Sequence, residues 1–174
     1  GVRHMLAAVP EAVVASSCSK NFGLYRERVG AVYFIAATRA QADAVQTQAM
    51  AAARQIYSMP PAHGAAIVST ILGDAALKAD WLEELGEVRG RINAMRALLA
   101  ARLEGNAAGK DFGFITRQKG MFSYFGITPE QVTRLREEFA VYMMESTRIN
   151  LAGITPANID DLAAAVHAVL EPAA

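Results

Sequence analysis

Apolar and polar positions fall into short and long blocks along this chain, and the block length predicts the elements. Ala12-Val13-Val14-Ala15 and Ala31-Val32-Tyr33-Phe34-Ile35-Ala36-Ala37 are β-branched or aromatic and too brief for ordinary helices, so they predict two buried strands. Ahead of them, residues 1–8 read as the last turns of a helix. Thr38-Arg39-Ala40-Gln41 then resembles a capping box, and the alanine-rich stretch behind it predicts a helix to about Tyr57. It stops at Ser58-Met59-Pro60-Pro61, because proline cannot continue a helix and the residue before it avoids the α region. A short helix is predicted over 62–72.

Asp74 is expected to cap the longest periodic segment. Leu77, Trp81, Leu85, Val88, Ile92, Met95, Leu99 and Leu103 recur three or four apart and form one apolar stripe. Glu83, Glu84, Glu87, Arg89, Arg91 and Arg96 read as a solvated face, and Gly86 and Gly90 each weaken the helix by about 1 kcal/mol. Residues 105–111 read as a loop, followed by strands over 113–116 and 120–125. Thr128-Pro129-Glu130-Gln131 is a helix start with proline at the first position, and Val132, Leu135, Phe139, Tyr142 and Met143 are expected to face inward. A strand over 146–154 and a last helix opened by Thr155-Pro156 complete the α/β pattern, with Ile159, Leu162, Val166 and Val169 inward and His167 on the surface.

Composition narrows the function classes. The chain has 174 residues, is 53% hydrophobic and carries 17 basic and 17 acidic side chains. That supports a globular core and gives no electrostatic case for nucleic acid or an anionic membrane. No apolar run reaches the length of a bilayer span, and the start lacks a signal-peptide pattern. Cys18 has no second cysteine to pair with, so a reducing, cytoplasmic setting is expected.

The candidate chemistry lies between the two strands. Residues 16–30 place hydroxyls, Lys20, glycines and Arg28 where a plain turn would serve, and loops on a rigid sheet carry much of protein function. Lys20, partly desolvated at a strand end, would be a nucleophile toward carbonyls and form a Schiff base. Ser17 and Arg28 are suitable ligands for a phosphate. Together they describe a pyridoxal phosphate site. The plainer alternative is a loop whose Lys20 and Arg28 are merely solvated. Cys18 reads as a small residue in a tight loop, with no histidine nearby in sequence to activate it.

Ser17-Cys18-Ser19-Lys20-Asn21-Phe22-Gly23-Leu24-Tyr25-Arg26-Glu27-Arg28-Val29-Gly30 resembles the cofactor-lysine segment of fold-type I aminotransferases, nearest to the class I aspartate and aromatic amino acid group. Arg54-Gln55-Ile56-Tyr57-Ser58-Met59-Pro60-Pro61 and Ser146-Thr147-Arg148-Ile149-Asn150-Leu151-Ala152-Gly153 resemble further segments of that family. The resemblance implies an α/β C-terminal portion of a fold-type I transferase of longer length. Residues 1–74 would belong to the large cofactor domain, 75–104 to the long inter-domain helix and 105–174 to the small domain.

It further implies transamination between an amino acid and a 2-oxo acid in a cytoplasmic homodimer. Lys20 would bind pyridoxal phosphate covalently and serve as general base, Ser17 and Arg28 would hold the phosphate, and Arg148 the substrate α-carboxylate. Arg54 would reach across the dimer to a distal carboxylate, and Phe122 would line the pocket. Met59 stands where aspartate-selective members commonly carry a polar residue, which favours a broader or aromatic preference. The plainer readings are a helix-end role for Arg54, ordinary core for Phe122, a salt bridge with a glutamate for Arg148 and a structural role for His63.

No metal is implied. The family's acidic partner for the pyridine nitrogen lies upstream of residue 1, so these residues alone are expected to be poorly active or inactive. Two rivals remain. Ser17-Cys18-Ser19-Lys20 fits the Ser-x-x-Lys pattern of serine acyl-transfer enzymes, whose companion motifs do not occur here. A catalytically silent fold or dimerisation module derived from an aminotransferase is the other. Asp111-Phe112-Gly113 matches a kinase metal motif but lacks its companion loops and carries no reading.

Overall fold

A computed structural model describes residues 1–171 of the chain, which divides into two compact units, one covering Gly1–Leu85 and one beginning at Gly86. Residues 172–174, at the end of the expected 105–174 segment, lie outside the described residues.

The first unit opens with helix α1 (Val2–Leu6). Strands β1 (Ala12–Ser17) and β2 (Gly30–Ile35) follow and pair antiparallel, with Ala12 opposite Ile35 and Ser17 opposite Gly30. Helix α2 (Arg39–Tyr57) starts where expected: the Gln41 amide donates to Thr38 Oγ1 (3.3 Å) and the Thr38 amide to Gln41 Oε1 (3.0 Å). It ends at Ser58, whose φ of +60° turns the chain out of the helix before the prolines. Helix α3 (His63–Gly73) leads to Asp74, whose carboxylate accepts from the amides of Ala76 (2.8 Å) and Leu77 (2.9 Å) and so caps α4 (Ala75–Arg102).

The two strands are less buried than their composition suggests. Val13, Val32 and Tyr33 are exposed, because within the described residues β1 and β2 hydrogen-bond only to each other.

The second unit holds the main core. Only the later part of the α4 stripe is fully used: Leu99 and Leu103 are buried completely, while Leu77 and Val88 are exposed. The helix continues through Gly86 and Gly90 without interruption. Arg96 is not on a solvated face. It is 4% exposed; one guanidinium nitrogen donates to the Ile115 carbonyl and Ser123 Oγ (both 2.9 Å), the other to the Gly120 carbonyl (2.5 Å). Its position, four after Ile92 and three before Leu99, lies within the apolar stripe. Burial lowers its pKa from the usual arginine value.

Residues expected as a strand at 113–116 form instead a short helix, α5 (Phe114–Arg117). Local bonds win there: Asp111 Oδ1 accepts from the Gly113 amide (2.6 Å), and Thr116 Oγ1 donates to the Gly113 carbonyl (2.7 Å). Strand β3 is confined to Phe122–Tyr124 and pairs antiparallel with β4 (Arg148–Asn150), Ser123 lying opposite Ile149. β4 is shorter than the expected 146–154 run because Asn150 Oδ1 accepts from the Ala152 amide (3.0 Å) and starts a 3₁₀ turn over Leu151–Gly153.

Helix α6 (Pro129–Phe139) has the expected capping box and buries Val132 and Leu135. It stops at Ala140, in the left-handed region, so Tyr142 and Met143 lie beyond it; Tyr142 and Phe139 are exposed, not inward. Helix α7 (Ile159–Leu170) buries Ile159, Val166 and Val169 as expected. His167 is partly buried, its Nε2 lying 2.9 Å from the Arg102 carbonyl.

Two buried polar residues set the strain and cohesion of this unit, and each yields a prediction. Arg96→Met should lower the urea midpoint, since it takes the guanidinium donor from the Gly120 carbonyl and the Ser123 hydroxyl at about 1–3 kcal/mol per unsatisfied group, whereas the exposed Arg91→Met should change it far less. Thr147 has a φ of +61°, unusual for a β-branched residue, and its Oγ1 accepts from the Gly126 amide (3.0 Å). Thr147→Val keeps the shape and loses the acceptor, so it should destabilise by about 1–3 kcal/mol; Thr147→Ser, which keeps the hydroxyl, should cost less. Equilibrium urea unfolding at constant m-value measures all four.

Candidate active site

The β1–β2 hairpin holds the loop 18–29 at its open end. Beyond the last ladder pair, the Cys18 amide donates to the Val29 carbonyl (3.0 Å). The Phe22 amide then donates back to the Cys18 carbonyl (3.2 Å), closing a turn that contains Lys20. Ser19, buried beside it, donates its amide to Ser17 Oγ (3.1 Å), and the Ser17 hydroxyl donates to Ser19 Oγ (2.9 Å). The Lys20 amine donates to the Tyr25 hydroxyl and lies over that ring. Arg28 reaches the same residue from the other limb, its Nη1 donating to the Tyr25 carbonyl (3.1 Å). Tyr25 therefore links the candidate amine to the candidate phosphate arginine, a role the sequence did not suggest.

Lys20 is exposed rather than partly desolvated, because the strands that carry it are themselves open. Arg28 has a φ of +50°, a sparsely populated region for a residue with a Cβ. Its neighbours fix it there. Gly64 of α3 packs against Glu27 and Val29 so closely that an added Cβ would stand 2.7 Å from Glu27 Cβ and 3.1 Å from Val29 Cβ. His63 Nδ1 lies 2.9 Å from Glu27 Oε2, which gives that histidine a structural part in holding the arginine limb.

Ser17 turns its hydroxyl to Ser19 while Lys20 turns its amine to Tyr25. What the loop offers is a primary amine, a hydroxyl and a guanidinium that makes no ion pair among the described residues, a donor set that fits a phosphorylated aldehyde.

Arg54 sits in the last turn of α2, exposed, with its carbonyl accepting from the Ser58 amide (2.8 Å). A cation there complements the helix dipole. It makes no ion pair with a carboxylate among the described residues.

Arg148 belongs to the second unit. Its guanidinium carbon stands 4.8 Å from the Phe122 ring centroid, and Nη2 lies 3.3 Å from Met144 Sδ. The expected alternative, a glutamate salt bridge, is not formed among the described residues. Phe122 is half-buried and lies under the guanidinium rather than deep in the core. The residue before the arginine is the strained Thr147, which points the strand outward through three bonds: its carbonyl accepts from the Phe125 amide (2.9 Å), its amide donates to the Met144 carbonyl (2.7 Å), and its hydroxyl takes the Gly126 amide. Arg148, Phe122, Tyr142, Met144, Asn150 and Asp161 help line a cavity of about 730 Å³. Among the described residues no group of three His, Cys, Asp or Glu side chains could hold a metal ion, and no helix is long and apolar enough to cross a membrane.

The comparisons with known proteins agree on one family. The family model for aminotransferase class I and II matches residues 1–166. The chain is similar to the aspartate aminotransferase of Escherichia coli K12, 52% identical over 98% of this chain and 43% of the relative. It is also similar to the aromatic-amino-acid aminotransferase of Paracoccus denitrificans, 45% identical over 95% of this chain and 42% of the relative. Among solved structures it resembles the aromatic-amino-acid aminotransferase of Burkholderia pseudomallei covalently bound to pyridoxal phosphate, with a TM-score of 0.88 and 46% identity. That likeness covers 98% of this chain and 43% of the other. The chain thus spans less than half the length of the relatives it matches, and on the family match over residues 1–166 it belongs to the class I and II aminotransferases.

Proposed function

We propose that this chain supplies the lysine-bearing part of a pyridoxal phosphate-dependent transamination site, acting between an amino acid and a 2-oxo acid. The observation that carries the reading is the loop 17–28. Its amine and its guanidinium both bond Tyr25, and the Ser17 hydroxyl bonds Ser19 on the limb before the lysine, at the end of a paired hairpin. The names of the relatives support aspartate, glutamate or aromatic amino acids as donors.

When bound, pyridoxal phosphate supplies an aldehyde carbon and a ring that accepts electron density from the substrate Cα. Ser17 and Arg28 would hold the phosphate, the serine through its hydroxyl and the arginine through its planar fork. Lys20 would hold the aldehyde end through its amine and serve as the general base for the substrate Cα proton. Arg148 grips the substrate α-carboxylate, and Phe122 underlies that guanidinium and lines the pocket. Arg54 takes the distal carboxylate of a dicarboxylic substrate from the facing subunit of a homodimer, and Met59 inclines the site toward aromatic donors as well. Residues 75–104 serve as the helix joining a large-domain segment (1–74) to a small-domain segment (105–174). The lone cysteine suits a cytoplasmic setting.

The test uses the whole protein. Incubated with pyridoxal phosphate, it should gain an absorbance band that Lys20→Ala abolishes together with amino-group exchange. Arg148→Ala should keep the band and raise KM for the amino donor about 100-fold, the scale expected when a positioning clamp is lost. A protein that gains no band, or whose band survives Lys20→Ala unchanged, would favour a silent module over an enzyme.

A further inference from the structure

The turn that carries Lys20 has two limbs, and they are held differently. The limb before the lysine runs directly out of β1. It is tied by the Ser17–Ser19 hydroxyl pair and by the Cys18 amide on the Val29 carbonyl. The limb after it, Asn21 and Phe22, has left the ladder. What reaches it from outside the hairpin is Trp81, sixty residues further along and one of the first residues of α4. The indole Nε1–H donates to the Asn21 carbonyl at 2.7 Å. The same indole stacks on the Phe22 ring, with centroids 4.5 Å apart and planes only 8° from parallel.

A hydrogen bond and a stack from one rigid side chain restrain both direction and distance. They act on the two residues that immediately follow the lysine. Trp81 itself is only partly exposed.

We propose that Trp81 is a positioning residue for Lys20: it clamps Asn21 and Phe22 and so fixes where the amine can reach. This rests on the transamination reading above. Lysine has a long flexible side chain, and a base acts efficiently only within hydrogen-bond reach of the proton it takes. Loosening the backbone next to it spreads the amine over positions from which neither aldehyde capture nor proton transfer proceeds. Substrate carboxylate binding, assigned to Arg148 in the other unit, does not depend on this clamp. The effect should therefore fall on kcat and on capture of the cofactor aldehyde, and leave KM for the amino donor nearly unchanged.

Two readouts test this on the whole protein. In the first, cofactor-depleted protein is mixed with pyridoxal phosphate and quenched with borohydride at timed intervals, and peptide mass analysis gives the fraction of Lys20 modified. The second is the separation of kcat from KM. Trp81→Leu removes both contacts and should slow Lys20 modification and lower kcat about tenfold or more, with KM within about twofold. Trp81→Phe keeps a ring for the stack and loses the N–H, so it should fall between Trp81→Leu and wild type. Leu82→Ala, at an exposed neighbouring position on the same helix, should behave as wild type.

If Trp81→Leu does not fold, Phe22→Leu removes the stack from the other side and should reproduce the slower capture. The inference is overturned if the folded Trp81 variants, or Phe22→Leu in their place, modify Lys20 and turn over at the wild-type rate. It is equally overturned if kcat and KM move together, as a general loss of folded protein or of substrate binding would make them. Wild-type protein that is never modified at Lys20 would instead remove the transamination reading on which the inference stands.

Discussion

Ser17 and Gly30 close the antiparallel ladder at a point where a side chain on position 30 would run into the Ser16 carbonyl. That pairing decides the rest of the first unit. With the strands locked in this register, the next amide, Cys18, meets the Val29 carbonyl, and the loop 18–29 has both ends fixed a hydrogen bond apart. A lysine and an arginine eight residues apart in sequence are then brought to one tyrosine. A glycine is needed at 30 for close approach, not for an unusual φ, and at 64 for the same reason, where α3 presses on the residues flanking Arg28.

Local sequence was a sufficient guide wherever local bonds decide the outcome. The capping boxes at Thr38 and Thr128 and the Asp74 cap depend on residues at most three positions apart, and all form as read. The loop between two strands was legible for the same reason, and its long contiguous motif also revealed the family. At 113–116 a helical turn forms in place of the expected strand, because the Asp111 and Thr116 side chains bond the Gly113 backbone.

Arg96, expected on the solvated face, differs for another reason. Its spacing from Ile92 and Leu99 places it within the buried stripe. The fold buries it because carbonyls from Ile115 and Gly120 and the Ser123 hydroxyl converge there, and that convergence is built from three separate segments. Long-range partners of this kind leave no periodic trace. The Trp81 contact with Asn21 and Phe22 is another: the periodicity correctly put Trp81 on the stripe, yet nothing in the spacing named what that stripe position would meet. The positive φ at Thr147 was also unreadable, since a β-branched residue argues against the conformation it adopts.

The candidate arginines show why a net charge of zero says little about a binding site. Several acids pair with other basic groups: Asp43 with Arg39, Glu138 with Arg134, Asp160 with Arg102 and Glu27 with His63. Arg28 is held by a backbone carbonyl, and Arg148 by an aromatic face and a thioether. Such supports orient a guanidinium without cancelling its charge. A carboxylate in their place would fix the side chain as well, but it would compete with any incoming anion and would have to be displaced at a cost in binding. Neutral support therefore leaves each guanidinium directed and, among the described residues, without an ion pair, the electrostatic condition for binding an incoming anion. Strain points the same way, since Arg28 and the residue before Arg148 both occupy positive φ and are held there by surrounding bonds. In both units the backbone accepts an unfavourable conformation at the position that aims a cation outward.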